Sequence, residues 1–240
     1  MIKLSDLLSE SKYDTTARKI ASDVIAQLKQ YKSNAQSDQQ QFLQDFRDQD
    51  GFAETYETLQ YSMGDRQLQA TIVIEVVTSS IFSKGDTGSP RNRKAIVKGY
   101  SIRGSASNTA MIIEIYLTLT YSTFNKLQQL YSEIYQNALG VARHEIEHLL
   151  QTVVKIPGRE TDLSRDIDSG LSNRKQNTSY RKLPTELEAD AKAINLVAKK
   201  KRIEFEQAAQ DYYSRIPQVD KREVSGLVTA VVDYSKKFRN

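Results

Sequence analysis

Apolar residues recur at helical spacing in the first quarter of the chain. Residues 15–31 and 37–48 place them three or four positions apart, which predicts two amphipathic helices. The apolar positions are Ile20, Val24, Ile25, Leu28, Phe42, Leu43 and Phe46. We therefore expect residues 1–60 to form a helical N-terminal extension that packs on the main domain or contacts a protein partner. A dedicated recognition module is the alternative.

The pattern changes to the two-residue period of β-strands near residue 69. Residues 70–78, 95–102 and 110–121 are rich in β-branched side chains, and the last segment alternates apolar with more polar positions. Its apolar positions are Met111, Ile113, Ile115, Leu117 and Leu119. Such alternation is typical of a sheet with one buried and one wetter face. Residues 83–93, between the first two strands, are predicted to form a turn or loop without chemistry of its own.

Helical spacing returns after the strands. A long helix is predicted from residue 124 to about residue 155, with Ser122 or Thr123 as its cap and Gly140 as a break or a close approach of backbones. Further helices are expected over residues 185–202, 204–214 and 219–237. The weakly patterned residues 157–184 are expected to form a long loop or lid. Strands followed by helices indicate an α+β fold, with a mostly helical C-terminal half packed on one side of a small sheet.

Length and charge limit the classes of function. A chain of 240 residues with 39% hydrophobic content can bury one sizeable core, and we assign residues 61–240 to the main domain. A net charge of +4 is too small over this length to imply a nucleic-acid surface. The dense basic run at residues 199–202 is expected to be a solvated helix end, with a polyanion contact as the alternative.

No segment of the sequence is expected to enter a membrane. The first residues lack the uninterrupted apolar core of a signal peptide, and no stretch approaches the ~20 apolar residues of a membrane span. The opening residues 1–10 are similar to the starts of proteins from large tailed bacteriophages. We therefore expect the protein to be cytoplasmic or associated with a virion.

The chain holds only two histidines, and both belong to a complete HExxH motif. Because His144 and His148 lie four residues apart, a helix presents both imidazoles on one face, where they can bind one zinc ion. Glu145 then lies beside the metal as the candidate general base. Glu147 is expected to point away from this face into solvent. Since the chain has no cysteine, a third protein ligand must be Asp or Glu.

The best candidates for the third ligand follow a predicted helix start at Pro184 and Thr185. Thr185 and Glu188 fit a capping box, which gives Glu188 a structural role. Glu186 and Asp190 are four residues apart and project from one helix face. We assign Glu186 as the third zinc ligand and Asp190 as the acceptor that orients a ligating histidine. Two alternatives stay open: Glu188 binds the metal instead, or these carboxylates are ordinary exposed helix residues.

The HExxH motif and the Glu-Leu-Glu-Ala-Asp string that begins at Glu186 resemble the gluzincin arrangement of the zincin metallopeptidases. The string is similar to that of small intracellular metallopeptidases of bacteria and their mobile elements, and the resemblance covers about residues 110–200. It implies a zincin-like sheet, an active-site helix, a second helix that carries the glutamate, and an edge strand that pairs with an extended substrate. It also implies zinc binding by His144, His148 and Glu186, with Glu145 as general base.

The chain departs from related patterns in two respects. The longer histidine-glycine continuation of metzincins is absent, and no recognisable oxyanion-stabilising motif follows the glutamate helix. Four residues are candidates for that role, although a tyrosine is more often a core or rim residue. They are Tyr180, Arg181, Tyr212 and Tyr213.

These features predict a zinc-dependent peptidase that hydrolyses peptide bonds through a metal-activated water. Its substrate would be a peptide or protein, aligned by backbone hydrogen bonds along residues 110–121. The first alternative is a zincin-like structural or assembly protein, such as a component of a phage particle, that keeps its metal without proteolytic turnover. The second is a basic helical nucleic-acid binder that uses residues 91–94 and 199–202, which would leave the HExxH motif unexplained.

Overall fold

The computed structural model describes residues 12–63, 66–84, 98–107, 111–153, 180–216 and 219–237. These residues form an α+β fold with one four-stranded sheet, which confirms the α+β part of the predicted fold. The phage-like start, the predicted loop beyond Lys84 and most of the predicted loop or lid at residues 157–184 lie outside the described residues.

The sheet is built from β1 (Phe52–Met63), β2 (Arg66–Val77), β3 (Tyr100–Ser107) and β4 (Ile112–Thr120). Its strand order is β1-β2-β4-β3, with β4 parallel to β2 and antiparallel to β3. The strand predicted at residues 110–121 therefore lies inside the sheet, hydrogen-bonded on both sides. Its prediction as the substrate-aligning strand is wrong, because β3 and not β4 forms the edge on this side of the sheet.

The predicted alternation of β4 is confirmed. Ile113, Ile115, Leu117 and Leu119 are fully buried, as expected for side chains that face the helices. Met111 precedes the strand with φ of 49°, a left-handed conformation that falls at the turn into β4.

The helices are α1 (Lys12–Ser37), α2 (Gln39–Asp48), α3 (Ser79–Lys84), α4 (Tyr121–Asn125), α5 (Tyr131–Val153), α6 (Pro184–Lys201), α7 (Phe205–Tyr213) and α8 (Val224–Lys237), with 3-10 turns at Leu127–Gln129 and Tyr180–Lys182. The C-terminal helices occur close to the predicted positions. Within the described residues, no helix has the length and apolar character needed to cross a membrane.

The N-terminal helix α1 belongs to the main core. Ile20, Val24 and Leu28 are fully buried and share one apolar cluster with the sheet and with α5. The helical prediction fails for residues 52–60, which lie in β1, and a boundary between residues 60 and 61 would fall inside this strand. β1 was hidden in the sequence because several of its positions are exposed and polar, so its alternation is weak.

The predicted helix from residue 124 to about 155 is interrupted. Thr120, and neither Ser122 nor Thr123, caps the short helix α4 by accepting a hydrogen bond from the Thr123 N–H. The chain then passes through the 3-10 turn before α5 begins at Tyr131. Helix α5 continues through Gly140, where an added Cβ atom would lie 3.5 Å from Val197 Cγ2 on α6, an ordinary van der Waals contact.

Helices α6, α7 and α8 enclose a second apolar cluster. Helix α6 starts with Pro184 in its first turn after the cap residue Leu183, and no side chain caps it. The predicted capping box of Thr185 and Glu188 is therefore wrong: Thr185 lies inside the first turn, not at the cap position. The pairing of α5 with α6 brings the HExxH motif against the first turns of α6.

Candidate metal centre

Helix α5 carries both histidines on one face, as the spacing predicts. The Nε2 atoms of His144 and His148 are 2.9 Å apart, and the two rings meet edge to face. His144 is buried and His148 is partly buried. The helix forms here because a buried stripe that includes Ala138, Leu139 and Ala142 packs it against α1 and the sheet.

Helix α6 brings Glu186 to the same point. Its Oε1 atom is 3.1 Å from His148 Nε2, and its Oε2 atom is 3.6 Å from His144 Nε2. Only 3% of Glu186 is exposed, so the prediction that it could be an ordinary exposed helix carboxylate is wrong. The structure thus groups the three residues that the sequence predicts as metal ligands, with their ligand atoms within 4.8 Å of one another.

The spacing of these atoms suits a four-coordinate metal ion. Two ligands at about 2.0–2.1 Å from a tetrahedral zinc ion lie about 3.3 Å apart. The three distances of 2.9, 3.1 and 3.6 Å fall on both sides of that value. Two nitrogens and one carboxylate leave a fourth position for water or substrate, which is the ligand count of a catalytic zinc site.

The second ring nitrogen of each histidine faces an acceptor. Asp190 Oδ1 is 2.9 Å from His144 Nδ1, and Gln151 Oε1 is 3.0 Å from His148 Nδ1. A proton on each Nδ1 satisfies these contacts and leaves both Nε2 lone pairs directed at the shared point. Asp190 is therefore where the sequence predicts it, beside a candidate histidine ligand. Gln151 was missed, although it lies three residues after His148 and so on the same side of the helix.

Two further residues surround Asp190. Tyr212 donates a hydrogen bond of 2.7 Å to Asp190 Oδ1, and an Nη1–H of Arg181 reaches the same oxygen at 3.3 Å. Arg181 Nη1 also lies 3.8 Å from Glu186 Oε2. Its positive charge compensates the two buried carboxylates, which would otherwise repel each other.

These contacts change the roles expected for Arg181 and Tyr212. The sequence offered both as oxyanion stabilisers, but the Tyr212 hydroxyl lies 3.5 Å from His144 Nδ1, on the opposite side of the ring from Nε2. It therefore supports the histidine from behind the metal position. Tyr213 is fully buried, and the side chain of Tyr180 lies outside the described part.

At three ionisable residues of the site, burial shifts the pKa in one direction and ion pairing shifts it in the other. Burial alone would lower the pKa of His148, but its hydrogen bond to Glu186 and the charges of Glu186 and Glu145 outweigh burial and raise this pKa to about 9. Burial would raise the pKa of Glu186, yet the hydrogen bond to His148 and the nearby positive charges hold it well below its usual range. Burial opposes ionisation of Asp190 as well, but Arg181 and His144 lower its pKa.

Glu145 is the residue that the sequence predicts as the general base. It is 9% exposed, it lies between the histidines and the edge strand β3, and its charge contributes to the raised pKa of His148. Among the described residues, no group donates a hydrogen bond to its carboxylate.

The two remaining glutamates near the motif have structural contacts. Glu147 is buried and accepts a hydrogen bond of 2.8 Å from Arg143 Nη1, so its predicted exposure to solvent is wrong. Arg143 also binds Asp14 on α1, which ties the motif helix to the N-terminal helix. Glu188 accepts a hydrogen bond of 3.3 Å from Gln151 Nε2 and is not a member of the ligand group, so the structure does not favour it as the third ligand.

Comparison of the chain with protein-family models, with curated proteins and with solved structures found no match.

Proposed function

We propose that this protein is a zinc-dependent peptidase of the zincin type, with the gluzincin arrangement of ligands. The observation that carries this proposal is the convergence of His144, His148 and Glu186, with Glu145 near enough to His148 for its charge to raise the pKa of that histidine. Each of these residues has a role in the family that the sequence resembles. The geometry supports the three candidate ligands, and the resemblance assigns Glu145 as the general base.

The donor set favours zinc over the other common divalent ions. Two imidazole nitrogens and one carboxylate suit a borderline-soft ion, whereas calcium and magnesium prefer a shell of oxygen atoms. The acceptors behind the rings, Asp190 and Gln151, supply the outer hydrogen bonds that orient zinc ligands in proteins. His144, His148 and Glu186 would hold the ion.

When bound there, zinc would supply Lewis-acid chemistry, which activates water and polarises a carbonyl. Glu145 takes a proton from the attacking water and later gives it to the leaving amine, the two proton transfers that amide hydrolysis requires. Asp190 holds His144 in place during both steps, and Arg181 keeps Asp190 and Glu186 ionised within a buried site.

The substrate would be an extended peptide bound along β3. This strand forms the edge of the sheet on the side of the candidate site, and its inner face lies against α5. Backbone pairing with an edge strand gives affinity with little side-chain selectivity. We therefore expect an unfolded protein to be a better first substrate than any single short peptide.

Metal content and cleavage together test this proposal. The purified protein should contain one zinc per chain and should cleave a generic unfolded protein such as reduced casein. Removal of the metal with a chelator should abolish cleavage, and zinc should restore it. Glu145→Gln should retain the metal and lose at least 100-fold in cleavage rate, because a general acid–base contributes about 10²–10⁴-fold to the rate.

The matched control is Glu206→Gln, which makes the same change at an exposed position of α7. It should cleave like the wild type. Stoichiometric metal without Glu145-dependent cleavage would contradict the peptidase and favour a metal-binding structural or assembly protein. Salt-sensitive binding of DNA or RNA without bound metal would favour the nucleic-acid alternative.

A further inference from the structure

The edge strand β3 approaches the motif helix most closely at Gly104. This residue pairs with Ile115 of β4 and faces α5, between Ile102 and Ala106 on the same side of the strand. A Cβ atom placed on Gly104 would lie 2.6 Å from Glu145 Cγ and 2.8 Å from Glu145 Oε1. It would also lie 2.7 Å from Val141 Cγ1. All three contacts are shorter than van der Waals distance.

Glycine is not needed at position 104 for backbone conformation. Among the described glycines, positive φ values occur at Gly51 and Gly99, and Gly104 is not among them. An alanine could adopt the backbone conformation of residue 104, so the requirement is one of space. The space that a side chain at position 104 would need is filled by Glu145 and by Val141, which lies four residues earlier on α5.

We propose that Gly104 is a positioning residue that lets β3 and α5 approach closely enough to hold the Glu145 carboxylate in its productive place. This inference rests on the proposed function, because it assigns Gly104 a role in the reaction that Glu145 would perform. The three atoms nearest to a Cβ at position 104 belong to Glu145 and Val141, and none of them belongs to a candidate metal ligand. The residue therefore acts on proton transfer and not on metal binding.

A methyl group at position 104 must displace one of its neighbours. Helix α5 is packed between α1 and α6 and resists movement, whereas within the described residues β3 is paired in the sheet only with β4. Val141 is β-branched and has one strongly preferred rotamer in a helix. The clash is therefore relieved by movement of β3 away from α5, by a new rotamer of Glu145, or by both. Each change alters the distance between the Glu145 carboxylate and the strand that would bind substrate.

Gly104→Ala tests this role against Gly226→Ala, which makes the same substitution on α8 where a Cβ atom would meet nothing within 4 Å. Gly104→Ala should lower kcat for casein cleavage by ten- to 100-fold, since about 1 Å of misplacement costs on the order of 10²-fold. Its zinc stoichiometry and zinc affinity should match those of the wild type. Gly226→Ala should retain full activity.

Val141→Ala with Gly104→Ala guards against a variant that fails to fold. The double variant lacks the clash with the rigid Val141 side chain but keeps the clash with Glu145. It should therefore fold and bind zinc, and its kcat should stay low. Val141→Ala alone should be active. Wild-type kcat in the double variant, or parallel loss of zinc affinity and unfolding midpoint with kcat, would overturn the positioning role.

A crystal structure of the zinc-loaded Gly104→Ala variant, or of the double variant, tests the positioning role of Gly104 without an activity measurement. The Glu145 carboxylate should be displaced by about 1 Å or more relative to His144 and His148, the scale of misplacement that impairs catalysis. An unmoved carboxylate would overturn the inference. If the wild type itself shows no Glu145-dependent cleavage, the peptidase proposal fails, while this structural comparison still decides whether Gly104 positions Glu145.

Discussion

Asp190 is the residue that most directly fixes a candidate metal ligand. It is completely buried, and its Oδ1 atom contacts His144, Tyr212 and Arg181. The buried Tyr213 hydroxyl also lies close to this carboxylate, and its hydrogen bond to Asp190 contributes to the raised pKa of Tyr213. Four side chains on three elements therefore converge on Asp190 and hold it against His144.

Asp190→Asn should weaken zinc binding by about 10–100-fold, the usual effect of removing an acceptor behind a ligating histidine. The amide no longer supplies the negative charge that makes His144 a stronger donor. Competition with a chromophoric chelator measures the affinity. Asp48→Asn, at an exposed position of α2, is the matched control. Unchanged affinity in Asp190→Asn would contradict the role assigned to Asp190.

Because the pKa of His148 is raised, an increase in pH should destabilise the metal-free protein but strengthen zinc binding. In the folded metal-free protein this pKa is about 9, above the ordinary value of 6.5. The folded state thus binds the proton more tightly than the unfolded state does. Its contribution to stability is complete below about pH 6.5 and is lost as the pH rises through about 9. Zinc requires the neutral ring, so its affinity increases over the same interval.

We therefore expect the Tm of the metal-free protein to fall between pH 6.5 and 9 relative to that of His148→Ala. The rise in Tm on addition of a fixed excess of zinc should grow over the same interval. Thermal unfolding followed by circular dichroism measures both. A zinc-induced rise that stays constant or shrinks as the pH increases would contradict the ion pair of His148 with Glu186.

The sequence predicted the ligand group because its signals are local. The HExxH spacing and the four-residue spacing of Glu186 and Asp190 follow from helix geometry alone. Arg181 and Tyr212 come from other elements, and their approach to Asp190 depends on how the 3-10 turn and α7 pack against α6. No spacing rule connects residues that meet only through tertiary packing, so their roles behind His144 could not be predicted.

At the scale of elements, an ion cluster joins the N-terminal helix to the motif helix. Arg143 on α5 contacts Asp14 on α1 and Glu147 on its own helix, and its side chain is only 4% exposed. Loss of one partner from a buried ion pair leaves uncompensated charge, at a cost of about 3–5 kcal/mol. The cluster therefore sets how α1 docks on the helix that carries the site.

Arg143→Met should lower the free energy of unfolding by about 3 kcal/mol or more, because Glu147 and Asp14 lose their shared cation. Urea denaturation measures the change. Arg222→Met, which removes a fully exposed arginine that pairs with Asp220, should leave the midpoint where it is. Equal midpoints for the wild type and Arg143→Met would show that the cluster contributes nothing to the docking of α1.

The boundaries of elements were predicted less well than their types. The strand at residues 110–121 and the C-terminal helices were found because their apolar periods are strong. β1 was missed because, as an outer strand, it presents polar positions such as Glu54, Thr58 and Gln60 to solvent. The break before α5 depends on the cap at Thr120, which competed with two equally plausible hydroxyl residues just after it.

At the scale of the whole molecule, α1, the sheet and the motif helix share one hydrophobic core. The N-terminal helices were expected to form an extension, yet the buried side chains of α1 lie in the same apolar cluster as Ile146 and Leu149 of the HExxH helix. The integrity of the site should therefore depend on residues near the N-terminus that lie far from the motif in sequence.

Leu28→Ala, in the buried stripe of α1, should lower the free energy of unfolding by about 2–5 kcal/mol, the cost of a large-to-small change in a packed core. Unfolding of the zinc-loaded variant should release the metal in the same transition that melts the helices. Simultaneous circular dichroism and a zinc-sensitive dye measure both events. If zinc is released at a temperature well separated from the helix-melting transition of Leu28→Ala, the N-terminal helices would instead form an independent unit.

A crystal structure of the zinc-loaded protein, with the metal located by anomalous scattering, tests the central claim most directly. We expect one ion per chain within about 2.0–2.2 Å of His144 Nε2, His148 Nε2 and a Glu186 oxygen, the usual lengths of zinc bonds to nitrogen and oxygen. An ion bound elsewhere, or one held by the histidines while Glu186 remains out of reach, would contradict it.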